Sequence, residues 1–163
     1  MRDPFLNPFP ADDAARHAIW EMLVPRDIAA FLAADWSMVE GDFIPEGFLA
    51  LSGNKAADPD DWTLAFPSLA HYRDEWLRQA RDFATLELAE DASAAIHAAT
   101  RLEEIDVQGD VALVRKKFDG GIRKADGTFD VMNWQTLYYC RLHEGRWKIC
   151  GFTGYLPYTP AAR

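Results

Sequence analysis

Beyond about Ala94 the chain is a succession of long alternating segments, and this run constrains the fold more than anything before it. AIHAATRLEEIDV, DVALVRKKF, FDVMNWQTLYYCRL and RWKICGFTGYL are separated by Gln108-Gly109, Asp126-Gly127 and Glu144-Gly145. Glycine supplies the positive φ that tight hairpin turns need, so the spacing predicts long antiparallel strands joined as hairpins. No internal repeat or low-complexity tract interrupts them.

The first half reads differently. Asp12 and Asp13 offer N-caps to a helix with Ala15, Ile19, Met22 and Leu23 at helical spacing, which Pro25 is expected to stop. A shorter helix begins near Asp27, with Ile28, Phe31 and Leu32 on one side. Asp35 to Asn54 is an irregular entry into a strand at Phe48–Leu51, and KAADPDDW is a loop. Pro67-Ser68 opens the third helix, in which Leu69, Tyr72, Trp76, Ala80 and Phe83 recur every three or four residues. Helices followed by a strand meander predict an α+β fold: three N-terminal helices packed in the concave face of a strongly curved, mainly antiparallel sheet. At 163 residues this is one domain, 12–163, preceded by an extended arm, 1–11, whose Phe5 and Phe9 pack on the body or on a neighbouring subunit.

Charge narrows the partners. With 26 acidic against 17 basic residues the net charge is −9, a field that repels phosphate backbones and anionic lipid. Nucleic acid is therefore not an expected partner, and Arg115-Lys116-Lys117, the one basic run, reads as a solvated strand end. MRDPFLNPFP carries three prolines where a signal helix or membrane span would need an apolar helix, so the expectation is a cytoplasmic protein with no membrane partner. If His143 faces Arg146 across the turn, Cys140 meets Ile149 and Cys150 meets Tyr139; the cysteines then point to opposite faces and a disulfide between them is disfavoured.

The order of three helices, an early irregular strand and four long terminal strands, ending in EGRWKICGF, resembles the nuclear transport factor two-like superfamily, and its SnoaL-like branch most. The resemblance covers roughly Asp12 to Leu156 and implies a cystatin-like α+β cone with a cavity inside its mouth, often dimeric through the sheet. Alternation divides the last hairpin into two faces. Val131, Asn133, Gln135, Leu137 and Tyr139 share one with Cys150, Phe152 and Gly154; Met132, Trp134, Thr136, Tyr138, Trp147, Ile149 and Thr153 share the other. Amides buried without partners cost on the order of a few kcal/mol each, so the Asn133 and Gln135 face is assigned to a cavity where water or ligand satisfies them. The other face, rich in Trp, is assigned to a homodimer interface. The competing arrangement puts Trp134, Trp147 and Ile149 in the core and both amides in solvent.

In enzymes of the superfamily, such as ketosteroid isomerase, limonene epoxide hydrolase, scytalone dehydratase and the polyketide cyclases, a cavity carboxylate removes a proton or activates water. By that resemblance Asp42 is the base, with Asp35 as its neighbouring alternative, and Tyr139 stands where the isomerase has an acidic oxyanion-hole residue. Asn133, Gln135, Leu137 and Phe152 from the last hairpin, with His71 and Trp76 from the third helix, are the expected substrate contacts; His97 is the other candidate cavity histidine. His17, His71, His97 and His143 have no metal-ligand spacing, and there is no dinucleotide fingerprint, P-loop or GxSxG, so no metal or cofactor is expected. The resemblance implies a small, largely apolar ligand and, in an enzyme, lyase, isomerase or hydratase chemistry on an apolar carbonyl or polyketide-like substrate. A non-catalytic binding or interaction module, or an accessory subunit like the small subunit of aromatic-ring dioxygenases, competes with it.

Overall fold

Three side-chain caps start the helices. The computed structural model describes residues 2–160; Met1 of the expected arm and residues 161–163 of the expected domain lie outside that range. Asp13 accepts from Arg16 N at the head of α1 (Ala14–Glu21), Ser68 from His71 N at the head of α3 (Leu69–Ala84), and Asp91 from Ala94 N at the head of α4 (Ala92–Ala99). The fourth helix corrects the expectation of a strand from Ala94. Its sequence is mostly alanine, the strongest helix former, and Asp91 caps it before β3 begins.

Pro25 does not end the first helix. The backbone widens into a π turn over Met22–Arg26 that holds the proline, then continues as α2 (Asp27–Ala33). In this turn the Asp27 N–H donates to Val24 O. Arg26, the last residue of the widened turn, and Asp27, the first of α2, stand side by side on the helical layer. α2 ends at Ala34 in the left-handed conformation.

The sheet has six strands in the order β2-β1-β6-β5-β4-β3. Their spans are β1 Leu49–Ser52, β2 Thr63–Phe66, β3 Thr100–Gln108, β4 Val111–Arg123, β5 Phe129–His143 and β6 Arg146–Leu156. β1 runs parallel to β6 and every other pair is antiparallel, so the sheet is mainly antiparallel as expected. β2, which the sequence pattern did not resolve from the preceding loop, is a four-residue edge strand. The helices cover one face of the sheet. Ile19, Met22, Leu23 and Val24 are each almost fully buried, and Trp36 stacks on Phe43 with ring centres 5.1 Å apart. The arm is tied back by Arg2, whose guanidinium donates to the carbonyls of Thr100 and Ala98, while Phe5 stacks on His97 at 4.4 Å. Among the described residues no helix is long and apolar enough to cross a membrane.

The register of β5 on β6 decides which residues look inward. Near the turn it is the expected one, His143 opposite Arg146 and Cys140 opposite Ile149, with Cys140 and Cys150 both free thiols. Cys150 is then an extra residue: Tyr139 pairs with Gly151 and Tyr138 with Phe152. A second bulge lies between the Leu137–Thr153 and Gln135–Leu156 pairs, where Tyr155 has a positive φ of 52°. Each bulge inserts one residue into β6 and reverses its in-out alternation relative to β5.

Gly151 sits where β1 crosses close to this bulge. A Cβ there would come within 2.5 Å of the Leu49 carbonyl oxygen, a backbone atom with no room to yield. Gly151→Ala is expected to lower unfolding stability by about 1–3 kcal/mol. Urea denaturation reads the change, and a midpoint equal to that of the native protein would mean that β1 shifts freely.

Candidate ligand cavity

Between α2, α3 and the inner face of β4, β5 and β6 lies a cavity of about 380 Å³, in the size range of small-molecule sites. Its sheet wall follows from strand register. On neighbouring strands Phe118 lies opposite Trp134, Lys116 opposite Thr136 and Val114 opposite Tyr138. The Phe118 and Trp134 rings are 4.9 Å apart. The bulge at Cys150 turns Phe152 to this same face, where its ring lies 4.8 Å from Tyr72 and 5.6 Å from Tyr138. From the helices come Phe31 and Trp76, edge to face at 5.8 Å.

The polar part of the wall is compact. Lys116 is the largest fully buried side chain, 1% exposed, and its Nζ donates to Leu23 O in the π turn and, at 3.1 Å, to Asp27 Oδ2. Asp27 is more open than its partner, with 31% of its side chain exposed. The hydroxyls of Tyr72 and Tyr138 have no hydrogen-bond partner among the described residues, yet no buried polar side-chain atom there is left unsatisfied, so both hydroxyls open onto the cavity. Burial pushes both phenols well above their ordinary pKa, and the nearby Asp27 carboxylate pushes them further. They stay protonated and can donate. At the mouth the Tyr155 hydroxyl donates to Gln79, and Glu75 is held by Arg78 and Gln79.

Of the residues expected to form a site, Trp76 and Phe152 line this cavity and the others do not. Asn133 is exposed on the opposite face of β5; Gln135 on that face donates to Pro157 O at 2.7 Å. Leu137 lies on the same outer face, and the Tyr139 hydroxyl there is 2.8 Å from Thr153 Oγ1. Two causes combine: the amides are satisfied without a cavity, Gln135 on Pro157 O and Asn133 in solvent, and β6 carries an extra residue. Unbroken alternation had grouped these four with Phe152, and the extra residue at Cys150 separates them. Trp134 therefore faces the cavity and Trp147 the core, so the rings on which a dimer face was premised point inward. The outer face offers Leu113, Leu137 and Tyr139 as its apolar cluster.

Asp42 does not line the cavity either. It is 1% exposed in a short 3-10 turn, Glu40–Asp42, where Arg26 Nε and Nη2 reach its two oxygens at 2.8 and 2.9 Å and Arg146 adds a third contact. A carboxylate held this way is a structural clamp between the π turn and the start of β6. Asp35 is exposed and caps the turn at Trp36–Met38. His71 is exposed on α3 with Nδ1 2.7 Å from Ser68 Oγ, while His97, on α4, is buried with Nδ1 2.9 Å from Ser93 O; neither lines the cavity.

Among the polar residues that do line it, Asp27, Tyr72 and Tyr138 were not expected in a site, and Lys116, expected at a solvated strand end, is buried in the middle of β4. The signal for Lys116 was present: Ala112, Val114, Lys116 and Phe118 fall on one face of β4, so the middle lysine of the basic run shares the face of the core residues. Asp27 carried no comparable signal, because its position depends on how the backbone passes Pro25.

No protein-family model matches the chain, and no curated protein matches it. Solved structures do. An NTF2-like protein of unknown function from Pseudomonas putida KT2440 superposes with TM-score 0.60 at 15% identity, over 90% of this chain and 89% of that one. A conserved protein from Planctomyces limnophilus DSM 3776 gives 0.59 at 14% identity, covering 88% and 96%. An NTF2-like protein of unknown function from Shewanella baltica OS155 gives 0.54 at 16% identity, covering 91% and 96%.

The raised phenol pKa values have a readable consequence. Protonation of Tyr72 and Tyr138 stabilises the folded chain fully below about pH 10, where an unfolded tyrosine begins to ionise, and this contribution is lost as pH rises from there toward the higher folded values. Titration of tyrosinate absorbance should show both phenols ionising only with unfolding. The variant Tyr72→Phe/Tyr138→Phe should lose exactly that late component, and ionisation of all five tyrosines near pH 10 would contradict the enclosed geometry.

Proposed function

On the NTF2-like fold that this chain adopts, we propose a small-molecule-binding protein of the SnoaL-like kind, whose ligand enters the cavity between α3 and the inner sheet face. One observation carries this reading: an aromatic chamber of about 380 Å³ into which two unpartnered phenol hydroxyls and a carboxylate project. The rings give apolar contact area; the hydroxyls and Asp27 fix orientation. An uncharged fluorescent probe such as N-phenyl-1-naphthylamine is expected to brighten with the native protein and quench its tryptophan emission. Met132→Trp, which adds an indole to the cavity wall, is expected to abolish the response while leaving the thermal midpoint near that of the native protein. A probe that brightens no more with native protein than with Met132→Trp would overturn the reading.

A second reading, cofactor-free acid/base catalysis, is favoured by the placement of Asp27. Lys116 holds Oδ2, the other oxygen has no partner among the described residues, and two neutral phenols on the same wall can donate to a developing oxyanion. The base in this reading is Asp27, in place of Asp42. In deuterium oxide the native protein is expected to accelerate exchange of the protons next to the carbonyl of 4-phenylbutan-2-one, measured by NMR, and Asp27→Asn/Lys116→Met, which strands neither charge, to remove the acceleration. Exchange at the buffer rate with native protein would leave binding alone.

A further inference from the structure

The cavity read above as a ligand site also presents a charge, and the following rests on that reading. The ionised residues of its wall are Asp27, Glu75, Asp130 and Lys116. Lys116 is covered, with 1% of its side chain exposed, whereas Asp27 beside it has 31% exposed and one oxygen unpartnered among the described residues. An entering molecule therefore meets the carboxylate and not the ammonium. Glu75 and Asp130 add negative charge nearer the mouth; their cationic partners, Arg78 and Lys124, do not line the cavity.

The rings of the wall already accept cations. Lys116 Nζ lies 5.3 Å from the centre of the Phe118 ring and Lys55 Nζ 5.6 Å from that of Trp134, the two rings that pack on each other across β4 and β5. Cation–π attraction strengthens when water is excluded, and Trp and Tyr faces are its best acceptors. Trp76, Tyr72 and Tyr138 extend the same kind of surface toward Asp27. An anion would be desolvated beside an exposed carboxylate with the one cation of the wall covered, which is unfavourable. A neutral molecule would gain apolar burial only.

We infer that the ligand class of this cavity is an apolar-bodied organic cation, an amine or quaternary ammonium compound, whose charged head sits against Asp27 between the aromatic walls. Three molecules of nearly one shape test the inference by tryptophan quenching or calorimetry: benzyltrimethylammonium, its uncharged carbon counterpart neopentylbenzene, and the anion phenylmethanesulfonate. The cation is expected to bind at least about tenfold more tightly than the neutral compound, and the sulfonate least. The preference should shrink with added salt. Asp27→Asn alone strands a buried ammonium, so the variant of choice is Asp27→Asn/Lys116→Met, which removes both charges together and should erase the preference, so that benzyltrimethylammonium binds no more tightly than neopentylbenzene. Glu75→Gln, at the mouth, should reduce the preference in part. Equal or tighter binding of the neutral or anionic compound, or no binding of the cation, overturns the inference. In that event the response to N-phenyl-1-naphthylamine decides separately whether the ligand-site reading stands.

Discussion

The ammonium of Lys116 joins the two layers of this molecule. It rises from the middle of β4, opposite Thr136, and ends on the π turn, where Leu23 O and Asp27 Oδ2 receive it. Taking an ammonium out of water costs several kcal/mol, and one ion pair with a partly exposed carboxylate seldom repays that in net stability. Its effect here is positional. An ammonium with a carbonyl and a carboxylate as partners fixes the distance and rotation of the helix relative to the sheet. The space left beside it, bounded by α3, is the cavity.

A second set of charges holds the other side of the same turn. Arg26, adjacent to Asp27 in sequence, is fastened to Asp42, which also receives Arg146 from the first residue of β6. This corner is thus tethered to β6 through Arg26, the last residue of the π turn, and to β4 through the next, Asp27, the first of α2. Pro25, which cannot donate a backbone hydrogen bond, sits in the turn that makes this double tether possible. Asp42 and Asp27 divide two tasks between them: one is saturated by guanidinium groups and structural, the other retains a free oxygen toward the cavity.

Much of the fold was legible in the sequence. The four long strands, their glycine turns, the order of helices before strands and the register at His143–Arg146 are local properties, set by alternation, turn chemistry and capping. The helix at Ala92–Ala99 was misread because short apolar runs suit either element until a cap such as Asp91 is recognised. The site was less legible for a different reason. Trp76 was found because it repeats at helical spacing on α3. Phe152 was placed in the cavity, but with neighbours that belong to the outer face, since no residue type at Cys150 announces an extra position in a strand. Asn133 and Gln135 looked costly only on the assumption that they were enclosed; outside, Gln135 satisfies itself on Pro157 O. Their distinct chemistry was a real signal, with the opposite sign.

The two extra residues of β6 also bear on how this strand tolerates changes of length. Everything inward beyond Cys150, including Phe152 and Gly154, owes its side to that insertion, and the second bulge at Tyr155 restores the phase for Leu156. Removing Cys150 would close the first bulge and leave Phe152 opposite Tyr138, whereas an additional residue between Gly151 and Phe152 would present Thr153 to the chamber and Phe152 to the exterior. The Asp126-Gly127 turn is under no such constraint, because it lies outside the paired register. A residue added at that hairpin tip moves no side chain between faces, whereas one added within the paired part of β6 reverses every side chain beyond it.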